Sequence, residues 1–329
     1  MKRRKRRQFR NQKSLEKKIR SSIDPPVIGD PSSFSSSPWW VTDWWNLSSD
    51  GHNNDVVSDC GTVGDLAVAA VSLRGNSHRL KGTPCEDSFC IATGSTTNDE
   101  NFLVVAIGDG VGSAKYSAYG SQRTTSLFVN HVSALLSKKE SLLQDEIRAV
   151  IDFAFSTTKN SVRNWSPEEY LSPELDPSEV SASELETTLT FAVIPADSNK
   201  QGLRNIYLGF VGDSPLFRLR QQKWLSIPHS EESSSILDSR THGIQGTETF
   251  IFGVEEFSDK EIFVLASDGL GNFVSNNNEN LPVGDYLAEQ WSSPKSLTQI
   301  VSDLSFDFRT ADDDRTAVIC WLNRKQYDQ

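Results

Sequence analysis

The chain has 329 residues, with 33 Lys and Arg against 44 Asp and Glu for a net charge of −11. That length suits one large domain or two ordinary ones and allows a sizeable core. The acidic balance argues against a broad nucleic-acid-binding face, four cysteines without a CxxC pair argue against a disulfide framework or a zinc knuckle, and no apolar run approaches the ~18 residues of a membrane span.

The charge is unevenly spread. Residues 1–20, "MKRRKRRQFRNQKSLEKKIR", carry eleven basic residues and one Glu, or +10, which leaves −21 on the rest. "SSIDPPVIGDPSSFSSSP" follows and is too poor in apolar residues to fold alone. The tryptophans of "WWVTDWW" (Trp39, Trp40, Trp44 and Trp45) read as docking on the folded body, because exposed aromatic patches are normally covered. Residues 1–60 therefore read as a largely disordered basic, Ser/Pro-rich extension, and 61–325 as the folded domain.

Within that domain, β-branched and aromatic runs predict strands over 65–73, 89–92, 102–109, 188–195, 205–213, 215–221, 261–268 and 316–322. Helical periodicity predicts helices over 118–136, with Leu127, Phe128, His131, Leu135 and Leu136 as one stripe, and over 141–163, with Leu142, Leu143, Ile147, Val150, Ile151 and Phe155 inward. Two more helices are expected over 283–291 and 295–305. The acidic, Pro-rich stretch 164–186 reads as a surface insertion. Neighbouring pairs of strands with helices between the groups predict an α+β fold of antiparallel sheets with helices packed outside.

Several apolar runs meet a carboxylate at one end. Asp109 follows "FLVVAIG", Asp213 follows "FVG", Asp268 follows "LAS", Asp312, Asp313 and Asp314 precede "RTAVIC", and Glu86 and Asp87 precede a strand at Phe89. Any one of these is explained as a turn residue. Together, with no histidine cluster, they make an all-oxygen donor set of the kind that Mg²⁺ and Mn²⁺ prefer.

The ordered blocks "SHRLKGTPCEDSF", "AIGDGVG", "TTLTFAV", "FVGDSPLFRL", "LASDGLGNF" and "DDRTAVI" resemble the metal-dependent protein phosphatases of type 2C, in particular their bacterial-type branch. The resemblance covers residues 66–322 and implies a four-layer α/β/β/α sandwich of two antiparallel sheets flanked by helices. It implies two Mn²⁺ or Mg²⁺ ions: Asp109 bridging them, Gly110 (through its carbonyl) and Glu86 on one, and Asp268 and Asp313 on the other. Asp87 holds a neighbouring water, and Asp314 is the alternative to Asp313. Asp109 and Asp268 are the residues closest to the chemistry it implies, hydrolysis of phosphoserine and phosphothreonine in proteins by a metal-activated water without a covalent intermediate.

Two positions depart from the family pattern. Val111 stands where the eukaryotic members have a histidine, and Gly82 where a phosphate-binding arginine is usual. Arg79 and Lys81 are the nearby substitutes, with Arg79 preferred because a planar guanidinium grips two oxygens. His78, the one histidine in a block, reads as a structural hydrogen-bonding residue, with substrate contact as the other reading. A third metal site stays open, with Glu184 and Glu186 as the nearest acidic residues, and Asp213 reads as a turn residue. These departures keep a second reading in play, a catalytically weak module that binds phosphoproteins. With no apolar signal segment after the basic start, the expected location is cytoplasmic, or nuclear in a eukaryotic source. Phosphorylated proteins are the expected partners, with an acidic partner for the basic arm; oligomeric state is not specified.

Overall fold

A computed structural model describes residues 55–163, 180–227 and 243–322. The disorder expected before residue 37, the tryptophan cluster and the bulk of the 164–186 insertion lie outside them.

Two antiparallel sheets stack face to face. The first has six strands in the order β1 (Val56–Val63), β2 (Leu66–Leu73), β13 (Arg315–Trp321), β10 (Ile262–Ala266), β7 (Leu216–Arg220) and β8 (Lys223–Ile227). The second has five: β3 (Ser88–Ser95), β4 (Asn101–Gly108), β5 (Leu189–Pro195), β6 (Leu203–Val211) and β9 (Ile251–Ser258). A two-stranded ribbon, β11 (Ser275–Asn276) with β12 (Glu279–Asn280), stands apart.

Side-chain alternation divides the central strands between two cores. Leu66, Val68 and Ala70 of β2, Leu103, Val105 and Ile107 of β4, and Phe263 and Leu265 of β10 fill the space between the sheets. The other faces pack on helices. Phe102, Val104 and Ala106 meet α2 (Ser117–Leu136) and α3 (Gln144–Arg163), whereas Ala69, Val71 and Val264 meet α4 (Asp268–Val274), α5 (Pro282–Gln290) and α6 (Leu297–Leu304). The result is the expected four-layer α/β/β/α sandwich. Burial on both faces explains why these strands read as continuous apolar runs.

Several local expectations change. The folded unit begins before residue 61, because β1 pairs along its whole length with β2. β1, β8 and β9 went unpredicted, and all three are edge strands, which bury less and tolerate polar residues such as Asp59 or Glu255 and Glu256. The run 261–268 stops at Ala266, and Asp268 opens α4 instead. The buried stripe of α2 runs through Ser121, Thr124, Thr125, Phe128, Val129, Val132 and Leu136; Leu127, His131 and Leu135 are only partly covered. In the second helix Leu143 lies 61% exposed just before its start. The described end of the insertion is not peripheral. A 3₁₀ turn, Ala182–Leu185, buries Leu185 against α2.

Candidate active site

Strand register brings the carboxylates together. Ser88 of β3 lies opposite Gly108 of β4, so Asp87, just before one strand, meets Asp109, just after the other. In the other sheet Ala266 of β10 lies opposite Ala317 of β13, which places Asp268 beside Asp313 and Asp314. All four ends fall at the same edge of the sandwich. There they line a cleft of about 530 Å³ with Glu86 and Asp213. α1 (Asn76–Lys81), the short helix after β2, closes one side with Ser77, His78 and Lys81.

Each carboxylate is held by a specific partner. The Asp109 N–H donates to Thr188 Oγ1 at 2.9 Å, while its carbonyl accepts from Thr187 Oγ1 and from the Thr188 N–H. The paired threonines of "TTLTF" thus pin the Asp109 backbone. The Asp87 side chain is bonded by Ser267 and Thr316. Its Oδ2 is buried without a hydrogen-bond partner, an orphaned acceptor of the kind that implies a missing ligand. Glu86 accepts from Ser117.

Gly110 is required by close approach. A Cβ there would sit 2.8 Å from Ser117 Cβ and 2.9 Å from both Glu86 Cβ and the Glu86 carbonyl oxygen.

Asp313 and Asp314 are adjacent but differ in environment. Asp313 is exposed toward the cleft, while Asp314 is 3% exposed. Asp314 Oδ1 accepts from Gly75 N at 2.6 Å, and Oδ2 accepts from Glu86 N at 2.6 Å and faces His78 Nδ1 at 2.8 Å. His78, Asp313 and Asp314 place donor atoms within 4.8 Å of one another, yet both oxygens of Asp314 are already engaged. Asp314 fastens α1 and the Glu86 backbone to the start of β13, and Asp313 is left to face the cleft.

The electrostatics match a site built for cations. Burial, followed by the charges of Asp87 and Asp268, pushes the Asp109 carboxyl well above the usual range. Burial, then Asp314, does the same to Asp87. Burial also raises Glu86 and Asp268, the latter against a hydrogen bond from Asp109 that lowers it. The carboxylates in the cleft outnumber its basic groups, Lys81 and His78, seven to two. Desolvated like charges at this density repel one another unless protonated or bridged by cations. An all-oxygen set with an orphaned buried oxygen fits a hard divalent ion.

Arg79 is not where it was expected. Its Nε lies 3.4 Å from Asp55 Oδ1, and it does not line the cleft, whereas Lys81 does. Glu184 and Glu186 are also turned away. Glu184 caps the 3₁₀ turn through Ser181 N, and Glu186 accepts from Gln245 N and Gly246 N. Asp213, read as a turn residue, lines the cleft and helps raise Asp268. Val111 lines it too, its N–H bonded to the Glu186 carbonyl. The sequence reading passed over Ser77, Thr83 and Thr188 as cleft residues. Thr188 could have been found in the "TT" block, while Thr83 carried no signal.

Comparison with known proteins places the chain in a family. A family model described as protein phosphatase 2C matches residues 74–304, well over half of the chain. Solved structures similar to this one include the S. agalactiae serine/threonine phosphatase, with 14% identity, a TM-score of 0.49, and coverage of 78% of this chain and 99% of that one. The serine/threonine phosphatase Stp1 from Staphylococcus aureus has 13% identity and a TM-score of 0.48, with 80% and 96% covered. The Mycobacterium tuberculosis phosphatase PstP/Ppp has 18% identity and a TM-score of 0.45, with 78% and 97% covered. A search of curated proteins found no match. The chain belongs to the protein phosphatase 2C family.

Proposed function

We propose that this chain is a serine/threonine protein phosphatase that works with two divalent cations, Mn²⁺ or Mg²⁺. The family is one of metal-dependent phosphatases. The observation that carries the reading is the orphaned, buried Asp87 oxygen at a convergence of carboxylates that lacks a matching set of cationic side chains. In this reading Asp109, the Gly110 carbonyl and Glu86 would hold one ion, and Asp109, Asp268 and Asp313 the other. Asp87 and Asp314 orient them.

Bound there, two divalent ions supply charge neutralisation for a phosphoryl group and an activated water for in-line attack. The protein residues do the positioning. Thr187 and Thr188 hold the Asp109 backbone, Asp314 holds that of Glu86, and Ser267 and Thr316 hold Asp87. Lys81 is the cation placed to meet a substrate phosphoryl oxygen, since Arg79 is committed to Asp55. Among the described residues no arginine lines the cleft to grip the phosphoryl group, and Val111 stands where a histidine would assist the leaving alcohol, which favours as a second reading a phosphoprotein-binding module with weak turnover.

The test is hydrolysis of a phosphothreonine peptide with Mn²⁺, with Mg²⁺ and with chelator, comparing wild type to Asp109→Ala. Metal-dependent turnover lost in the variant is the expected outcome. Phosphopeptide binding without turnover in any metal would leave the binding module instead.

A further inference from the structure

The start of the described chain and the acidic cleft meet at the same short helix. The described chain begins at Asp55, whose carboxylate pairs with Arg74 and Arg79, each at 3.4 Å, and whose carbonyl accepts from Arg74 N. Arg79 belongs to α1, the same short helix that presents Ser77, His78 and Lys81 to the cleft. Residues 1–54 are therefore joined at Asp55 to a part of the body that borders the acidic cleft. Between Arg20 and Asp55 lie 34 residues, which at full extension span roughly 110–120 Å. The tether is long enough to bring any part of the segment 1–20 back to the cleft.

Charge supplies the driving force. The segment carries +10 and the remaining chain −21, and the cleft gathers seven carboxylates against two basic groups. A covalent link makes the encounter intramolecular, so modest attraction suffices for occupancy.

We infer that the basic segment 1–20 docks on the cleft carboxylates and competes with divalent cations for them. The inference rests on the metal-site reading above. Because the two ligands exclude one another, the coupling is reciprocal: the segment weakens metal binding, and bound metal releases the segment. Free segment is then available to an acidic partner only in the metal-loaded protein.

The test uses the full chain with Lys2, Arg3, Arg4, Lys5, Arg6 and Arg7 all replaced by Gln, and reads Mn²⁺ binding by calorimetry, which needs no turnover. At about 10 mM ionic strength, where the screening length is ~30 Å, the variant should bind Mn²⁺ roughly 5- to 20-fold tighter than wild type. At about 1 M, where that length is ~3 Å, the difference should fall below about twofold. In metal-free wild type, carbodiimide should cross-link Lys2 or Lys5 to Glu86 or Asp313, and Mn²⁺ should suppress those links. Equal Mn²⁺ affinities at low salt, or cross-links confined to carboxylates outside the cleft, would overturn the inference and leave the metal site intact. Absence of Mn²⁺ binding in both proteins would instead overturn the metal-site reading, and this inference with it.

Discussion

Replacing Asp314 by Asn tests whether two neighbouring aspartates have separate roles. Asp314 is nearly fully buried, and its two oxygens receive the N–H groups of Gly75 and Glu86 at 2.6 Å each, with His78 at 2.8 Å. Hydrogen bonds to a charged group contribute about 1.5–3 kcal/mol each, and an unmet buried donor costs about 1–3 kcal/mol more. Asn keeps one acceptor oxygen and turns an NH₂ toward the other donor. The cost is then about 3–5 kcal/mol, the range found when a buried pair loses one member. For a folded unit of this size that lowers the melting temperature by roughly 6–20 °C.

The pH dependence follows with a definite sign. The hydrogen bond that His78 donates to Asp314 raises His78 above its ordinary 6.5, against the effect of burial. The pair's stability is fully present below about pH 6.5 and is lost as pH rises through the raised value. Asp314→Asn should flatten that slope.

Asp313→Asn should behave in the opposite way. It removes a cleft charge that helps raise Asp268, so melting in chelator should stay level or rise, while stabilisation by Mn²⁺ disappears. Thermal melts of both variants, with chelator and with Mn²⁺ across pH 5.5–8, are the assay. If Asp314→Asn melts within about 2 °C of wild type, or Asp313→Asn loses as much stability as Asp314→Asn, the division of roles is wrong.

Two further predictions concern the metal-free site and its tightest glycine. Burial holds Asp87, Asp109, Asp268 and Glu86 above their ordinary values of 3.8 and 4.5, so the chelated protein should lose stability as pH rises from about 4 through the raised folded values. Saturating Mn²⁺, at about 100 times its Kd, should add about 2.7 kcal/mol or roughly 5–10 °C near neutral pH. Calorimetric melts showing no gain there would count against a cation site. Gly110→Ala, whose new Cβ would press on Ser117 and Glu86, should cost about 1–3 kcal/mol in denaturant unfolding and about 100-fold in turnover. Wild-type kinetics in that variant would show that the close approach does not matter.

The layered fold and the identity of the cleft carboxylates were legible in the sequence because both rest on short-range patterns. Strands buried on two faces leave continuous apolar runs, and the turn residues at their ends carry Asp109, Asp268 and Asp313 within recognisable blocks. Edge strands were not legible. β1, β8 and β9 each pair on one side only, so edge positions accommodate polar residues and their sequences resemble loops. Nor could spacing place Arg79. Whether that guanidinium met a phosphate or another carboxylate depended on where Asp55 arrived from the opposite side of α1.

The sequence by itself determined which chemistry is available: oxygen ligands, with no nucleophilic cysteine loop, at the ends of rigid strands. Tertiary structure decided which oxygens are left to act. Antiparallel register carries the ends of β3, β4, β10 and β13 to one edge of the sandwich. There, backbone N–H groups from segments more than 200 residues away satisfy Asp314, while the adjacent Asp313 faces the cleft. The two residues have the same side chain and differ by one position. In the bend just before β13 one turns inward to buried donors and the other outward, and only the assembled sheets establish which is which.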